Sequence, residues 1–315
     1  MEVEQFFSTV RLLLVVGKGG VGKTSVAAAI ANVAAATGRS VLIADVDGRH
    51  GAAAAFGVTN LTYDEQVLVP GDAATGRGTV SGRTLTADDA LVEYLADHGM
   101  GRLARKLASN GVVDVIATAT PGIKDLLVLG KVKQLVTEAR HDLVILDTPA
   151  SGHAVTFLGS ARALADSVAS GRIRRQADEV MSVLSDHDRC RVVLVTLAEE
   201  TPVNETIETA FTLEDDIGVA LTPIVVNALL DMPPPVPAGA LARLEPGERE
   251  AVAAALAIER MRAGAQHEQL ARLAAALPLP QIVLPERPGT RLDAVDFAGL
   301  ADAFVASLAT LEGAR

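Results

Sequence analysis

The stretch "VVGKGGVGKTS", Val15 to Ser25, decides the fold. It follows the aliphatic run "RLLL" and leads into "VAAAIANVAAATG". A short apolar run with β-branched residues ending in glycine predicts a buried parallel strand, and the alanine-rich stretch closed by Gly38 predicts a helix. Between them, Gly17 to Thr24 satisfies the spacing G-x-x-x-x-G-K-[ST] in the strand-to-helix setting this motif requires. Glycines let the backbone curl until its N–H groups face an anion at the positive end of the helix. That chemistry suits the phosphate tail of a nucleotide, held by Gly17, Lys18, Gly19, Gly20, Val21, Gly22, Lys23, Thr24 and Ser25. Lys23 would reach the β- and γ-phosphates of ATP, and the Thr24 hydroxyl would bind Mg²⁺. Lys18, directly after the first glycine, has no role in this simple scheme.

Outward from the loop, "RSVLIADVDG" is a second apolar strand ending in Asp45 and Asp47, and "HDLVILD" is a third ending in Asp147. "RVVLVTLAEE", "ALTPIVVNALL" and "LPQIVLPE" continue the alternation of apolar strands with helical segments. Nearly all-apolar strands alternating with helices imply an α/β, phosphate-loop NTPase fold, its mostly parallel sheet covered by helices on both faces. Ligands of such sheets bind beyond the carboxyl ends of the strands. Asp47 and Asp147 therefore join Thr24 as candidate metal-side groups, acting mostly through bound water. We expect one domain over 1–315, with 86–140 as an inserted, mainly helical subdomain to which 154–188 contributes. Thr86, three residues before Asp89, predicts a capping box at its start. "IKDLLVLGKVKQLV" is apolar around most of its circumference, so it packs on two sides or keeps an apolar face exposed. In "GRIRRQADEVMSVLSDH", Ile173, Ala177, Val180, Met181 and Leu184 share one helical face.

Composition narrows the function. A formal net charge of −11 over 315 residues argues against a nucleic-acid-binding surface. The single cysteine, Cys190, allows no intrachain disulfide and reads as a small core residue. The acidic start "MEVEQFF" is unlike a signal peptide, and no apolar stretch is long enough to span a bilayer. A cytoplasmic protein without stable membrane insertion is the expectation.

"GKGGVGKT" resembles the deviant phosphate loop of the dimeric ATPases that include partitioning ATPases, the nitrogenase iron protein and the arsenite-pump ATPases. Two further stretches are similar to the arsenite-pump and tail-anchored-protein-targeting branch, the ArsA-like or anion-transporting ATPases. "DGRHGAAAAF" (47–56) resembles its first switch at Asp47, His50 and Phe56, with Gly48 in place of a proline. "DTPASGHAVTFL" (147–158) resembles its second switch at Asp147, Thr148, Gly152 and His153. The alanine- and arginine-rich composition fits bacterial members. The likeness implies that Lys18 reaches across a dimer interface to the partner's nucleotide and that Asp47 orients the attacking water, making both catalytic. It implies that Asn227 reads the adenine edge, with the backbone near Pro285 flanking the base.

The function implied is Mg²⁺-dependent ATP hydrolysis coupled to dimer closure and to switch-driven movement of the helical subdomain. The dimer is a homodimer or a heterodimer with a paralogous ATPase, and a protein client is conceivable. One cysteine speaks against arsenite binding within one subunit. Burial of Ile123, Leu126, Leu127, Leu129, Val132 and Leu135 against the sheet or a partner is favoured over a client groove. The alternatives are a catalytically weak regulatory subunit, a partitioning or positioning ATPase, and, more weakly, a small-molecule kinase.

Overall fold

The structure is a computed structural model that describes residues 1–46, 51–97, 99–100, 122–237, 239–288 and 292–311. Strands and helices are numbered through these residues. A short helix α1 (Val3–Phe7) precedes β1 (Leu12–Val16), the phosphate loop and α2 (Lys23–Ala36). Then come β2 (Val41–Val46), α3 (Gly51–Ala55), β3 (Gln66–Val69), β4 (Val80–Leu85) and α4 (Ala87–Asp97). Next are α5 (Ile123–Glu138), β5 (Leu143–Asp147), α6 (Ser151–Ser167), α7 (Arg172–Leu184) and β6 (Cys190–Leu197). The chain continues with α8 (Glu200–Phe211), β7 (Ala220–Leu221), β8 (Ile224–Leu229), α9 (Pro246–Ala276), β9 (Gln281–Pro285) and α10 (Ala294–Thr310).

The strands form one sheet in the order β3-β4-β2-β5-β1-β6-β8-β9, with β7 on β6. Every pairing is parallel except that of β3 with β4. An antiparallel edge on a parallel sheet is a common ending for doubly covered α/β folds. β1, β2, β4 and β5 are buried at every position, as strands covered on both faces must be. Two cores result. Leu13, Val15, Ile43 and Ile145 face α2 and α10, while Leu12, Leu14, Leu42, Leu146 and Val192 face the α5–α8 side.

Most sequence-based expectations fall into place. Thr86 Oγ accepts from the Asp89 N–H at 3.2 Å, the expected N-cap contact, but it also donates to Asp89 Oδ2 at 2.6 Å, so the Asp89 carboxylate takes the Thr86 hydroxyl in place of the backbone N–H that a full capping box requires. Cys190 lies buried in β6, and burial pushes its thiol up to about 12. In α5, Ile123, Leu126, Leu129, Val132 and Leu135 are buried, while Leu127 is half-buried on a groove wall. Ile173 departs from its expected buried face and is 38% exposed: it sits in the first turn of α7, at the groove rim. The middle of the expected insertion, residue 98 and 101–121, lies outside the described residues.

Candidate functional site

The β1–α2 loop is shaped by contacts that leave no room for side chains. A Cβ at Gly17 would lie 2.2 Å from the Val195 carbonyl oxygen, so this glycine lets the loop press on neighbouring β6. Gly22 caps α2 in the left-handed region (φ 89°), where an L side chain is strained. A Cβ there would also meet Asn227 Nδ2 at 2.3 Å. The Asn227 amide donates to the Val21 carbonyl oxygen at 2.9 Å, tying β8 to the loop across the sheet. Lys23 curls back, and its ammonium donates to the Lys18 carbonyl oxygen at 3.2 Å.

The acidic strand ends converge as the topology requires. Asp147 ends β5 opposite Val15 of β1 and Asp45 of β2. Asp45 and Asp147 are buried. The Thr24 hydroxyl donates to Asp147 Oδ2 at 2.5 Å. Thr148 donates to the Val15 carbonyl oxygen at 2.8 Å, fixing the strand's exit beside the loop. A buried carboxylate bound to a hydroxyl at a helix N-terminus, beneath a glycine cradle, fits the donor set of a hydrated Mg²⁺ on a phosphate chain.

Of the other sequence-predicted residues, Gly19 packs near Ala150, at the start of the second switch stretch. Asp47 and His50 lie outside the described residues. The chain re-emerges at Gly51, where an added Cβ would be 3.0 Å from the Thr24 side chain, so this stretch returns against the site. Phe56 packs on the α2-side core. His153 is exposed in the first turn of α6. Asn227 and Pro285 share one end of the sheet: β8 pairs with β9, Leu229 opposite Pro285.

Two residues escaped the sequence reading. Glu205 of α8 accepts an ion pair from Lys18 Nζ at 2.6 Å, both side chains being more than a third exposed. Gln266 of α9 is the other, and it bonds to the backbone next to Asn227.

The pattern of the anion-transporting ATPase family matches residues 10–181, from β1 through α7. "ATPase BagA" of Mycobacterium tuberculosis is 35% identical over 208 residues, 64% of this chain and 60% of that protein. "Putative arsenical pump-driving ATPase" of Halobacterium salinarum is 26% identical over 239 residues, 70% of this chain and 36% of that protein. "ATPase GET3" of Chaetomium globosum is 28% identical over 151 residues, 48% of this chain and 42% of that protein. The chain thus spans less than two thirds of the length of these relatives. Among the described residues, no helix is long and apolar enough to cross a membrane. With more than half its length matched, including the phosphate loop and both acidic strand ends, the chain belongs to the anion-transporting ATPase family.

Proposed function

We propose that this protein hydrolyses ATP with Mg²⁺ and couples the hydrolysis to closure of a dimer and movement of the helical layer at 86–140. The observation that carries the reading is the Thr24–Asp147 hydrogen bond beneath the glycine loop. It brings the phosphate cradle and the metal-side carboxylate within one side chain's reach. Backbone N–H groups of Gly17–Thr24 and Lys23 hold the phosphates. Thr24, with Asp147 and Asp47 through water, holds Mg²⁺, which when bound neutralises charge on the phosphate oxygens. Asp47 orients the attacking water. Asn227 and the backbone at Pro285 receive the adenine.

Lys18 acts on the partner subunit's nucleotide, whether that partner is a second copy or a paralogue. A trans-acting cation at a transferring phosphoryl group contributes about 10³–10⁵ in rate elsewhere. The test is Lys18→Ala: nucleotide binding persists by calorimetry, while turnover falls by at least about a hundredfold. Full turnover in that variant rejects the trans-lysine mechanism. Asp47→Asn should bind ATP and accumulate as a closed dimer on size exclusion. A client, if there is one, would be a protein; neither nucleic acid nor arsenite fits the composition.

A further inference from the structure

We propose that Gln266, on the long helix α9, is a positioning residue for base recognition: it fixes a backbone bulge in β8 that aims Asn227. This inference rests on the reading that Asn227 meets the adenine.

The bulge is visible in the register. β8 and β9 run in step from Ile224 to Val226, then slip before Leu229 pairs with Pro285. Within the slip, Ala228 has φ 53°, one of two positive-φ residues other than glycine among the described residues. The left-handed region is unfavourable for an L side chain and persists where surrounding contacts impose it. A bulge also takes backbone groups out of the ladder, and these need other partners.

Gln266 supplies both at once. Its Nε2 donates to the Ala228 carbonyl oxygen at 3.3 Å, and its Oε1 accepts from the Leu230 N–H at 2.7 Å. A carboxamide sets an NH2 donor group beside a carbonyl acceptor on a planar fork, which matches the peptide edge it meets; a carboxylate or an aliphatic side chain does not. The residue just past β9 holds the other side, with the Glu286 N–H donating to the Leu229 carbonyl oxygen at 2.9 Å. The bracket spans 36 to 38 residues of sequence, so it belongs to tertiary structure and not to local turn chemistry.

Asn227 immediately precedes this bracket. One N–H of its amide goes to the Val21 carbonyl oxygen. Its other N–H and its oxygen form a donor–acceptor pair that complements the exocyclic amine and ring nitrogen of adenine. The same pair mismatches guanine, which offers two acceptors on that edge. A peptide rotated at Ala228 would turn the Asn227 side chain away from both the loop and the base. α9 is exposed along most of its length, with only Ala263 and Leu273 fully buried, and Gln266 is one of its few polar ties to the sheet. A helix with little core of its own is thereby built into the nucleotide site.

The experiment measures ATP and GTP affinities of the full chain by calorimetry. Gln266→Leu should weaken ATP binding about five- to tenfold, the worth of one or two hydrogen bonds, and leave GTP binding nearly as it was. Gln266→Glu, which keeps the shape and loses the donor to Ala228, should shift the ATP/GTP ratio the same way. Adding Ala228→Gly, which removes the left-handed strain, should restore part of the selectivity. A folded Gln266→Leu protein with the wild-type ATP/GTP ratio, or with equal losses for both nucleotides, overturns the proposal. Asn227→Ala separates the two layers. If it collapses selectivity and the Gln266 variants do not, only this inference fails; if it leaves selectivity intact, the reading of Asn227 fails as well.

Discussion

Helices α2 and α5 cover opposite faces of the same sheet, and they are held there in different ways. α2 is an alanine helix: nine of its fourteen residues are buried, and it lies directly against β1, β2 and β5 with α10 alongside. Alanine lets the backbone approach the strands closely, so the helix that begins at the phosphate loop has almost no freedom to shift. α5 is a leucine helix that touches the sheet mainly at β5 and otherwise packs on α4, α6 and α7. Between α4, α5 and α7 runs a groove of about 1050 Å³, walled by Leu91, Leu95, Leu127 and Ile173. Its tie to the sheet is partly polar. Buried Lys131 pairs with Glu93 of α4 at 2.6 Å, Tyr63 donates to Glu93 at 2.5 Å, and the Arg83 guanidinium of β4 lies 4.4 Å from the Tyr63 ring centre. Apolar close packing fixes the nucleotide end. Leucines and an ion pair hold the helical layer, which borders the groove.

The largest expected effect tests whether that second layer has a firm inner surface. Leu129→Ala, at a position 1% exposed, should cost about 2–5 kcal/mol in urea unfolding. Leu127→Ala, on the groove wall, should cost under about 1 kcal/mol. Equal costs would mean the groove is not distinct from the core. On the opposite face, Ala31→Leu inserts a larger side chain where α2 has no space and should cost about 1–3 kcal/mol. A neutral Ala31→Leu would remove the contrast between the two helices.

A pH experiment sharpens the polar side of the comparison. Burial alone would raise the Glu93 carboxyl, but the hydrogen bonds from Lys131 and Tyr63 outweigh it and hold the group below the ordinary glutamate value. A depressed carboxylate stabilises the fold above its unfolded value and loses that contribution as pH falls through the folded value. Melting temperature between pH 6 and pH 3 should therefore drop more steeply for the wild type than for Glu93→Gln. Parallel curves would mean that the pair does not hold the helical layer to the sheet.

What the sequence showed plainly were features fixed by short spacing or by strand ends. The phosphate loop, Asp147 and the β8 position of Asn227 follow from local patterns and from a parallel sheet gathering its carboxyl ends. Helix α1 was missed because five residues have no usable period; Phe6 ties it to α10 by an edge contact to Phe304, and Phe7 is fully buried. Gln266 and Glu205 were invisible for another reason. Each acts on a segment far away in sequence, and nothing in "RAGAQHEQL" or "VNETIET" marks which helix face meets which loop. Asp47 stands apart, since its place in the scheme rests on the motif alone.

The smallest expected effect concerns the contact between the phosphate loop and α8. Lys18 and Glu205 are both more than a third exposed, and such ion pairs contribute about 0.2–1 kcal/mol. Glu205→Gln should therefore leave the melting temperature nearly unchanged. Its effect on activity follows from geometry. On the proposed trans-acting role, Lys18 would have to leave the Glu205 carboxylate of its own subunit, held at 2.6 Å, to reach a partner's phosphates, so the proposed closure would break the pair. Removing the carboxylate lowers the cost of closure by about that same amount and shifts the concentration at which the protein dimerises with ATP downward by about two- to fivefold. Turnover measured against protein concentration reads this directly. A shift in the opposite direction would make Glu205 a group that aligns Lys18 for transfer, and would place this carboxylate within the fixed nucleotide end.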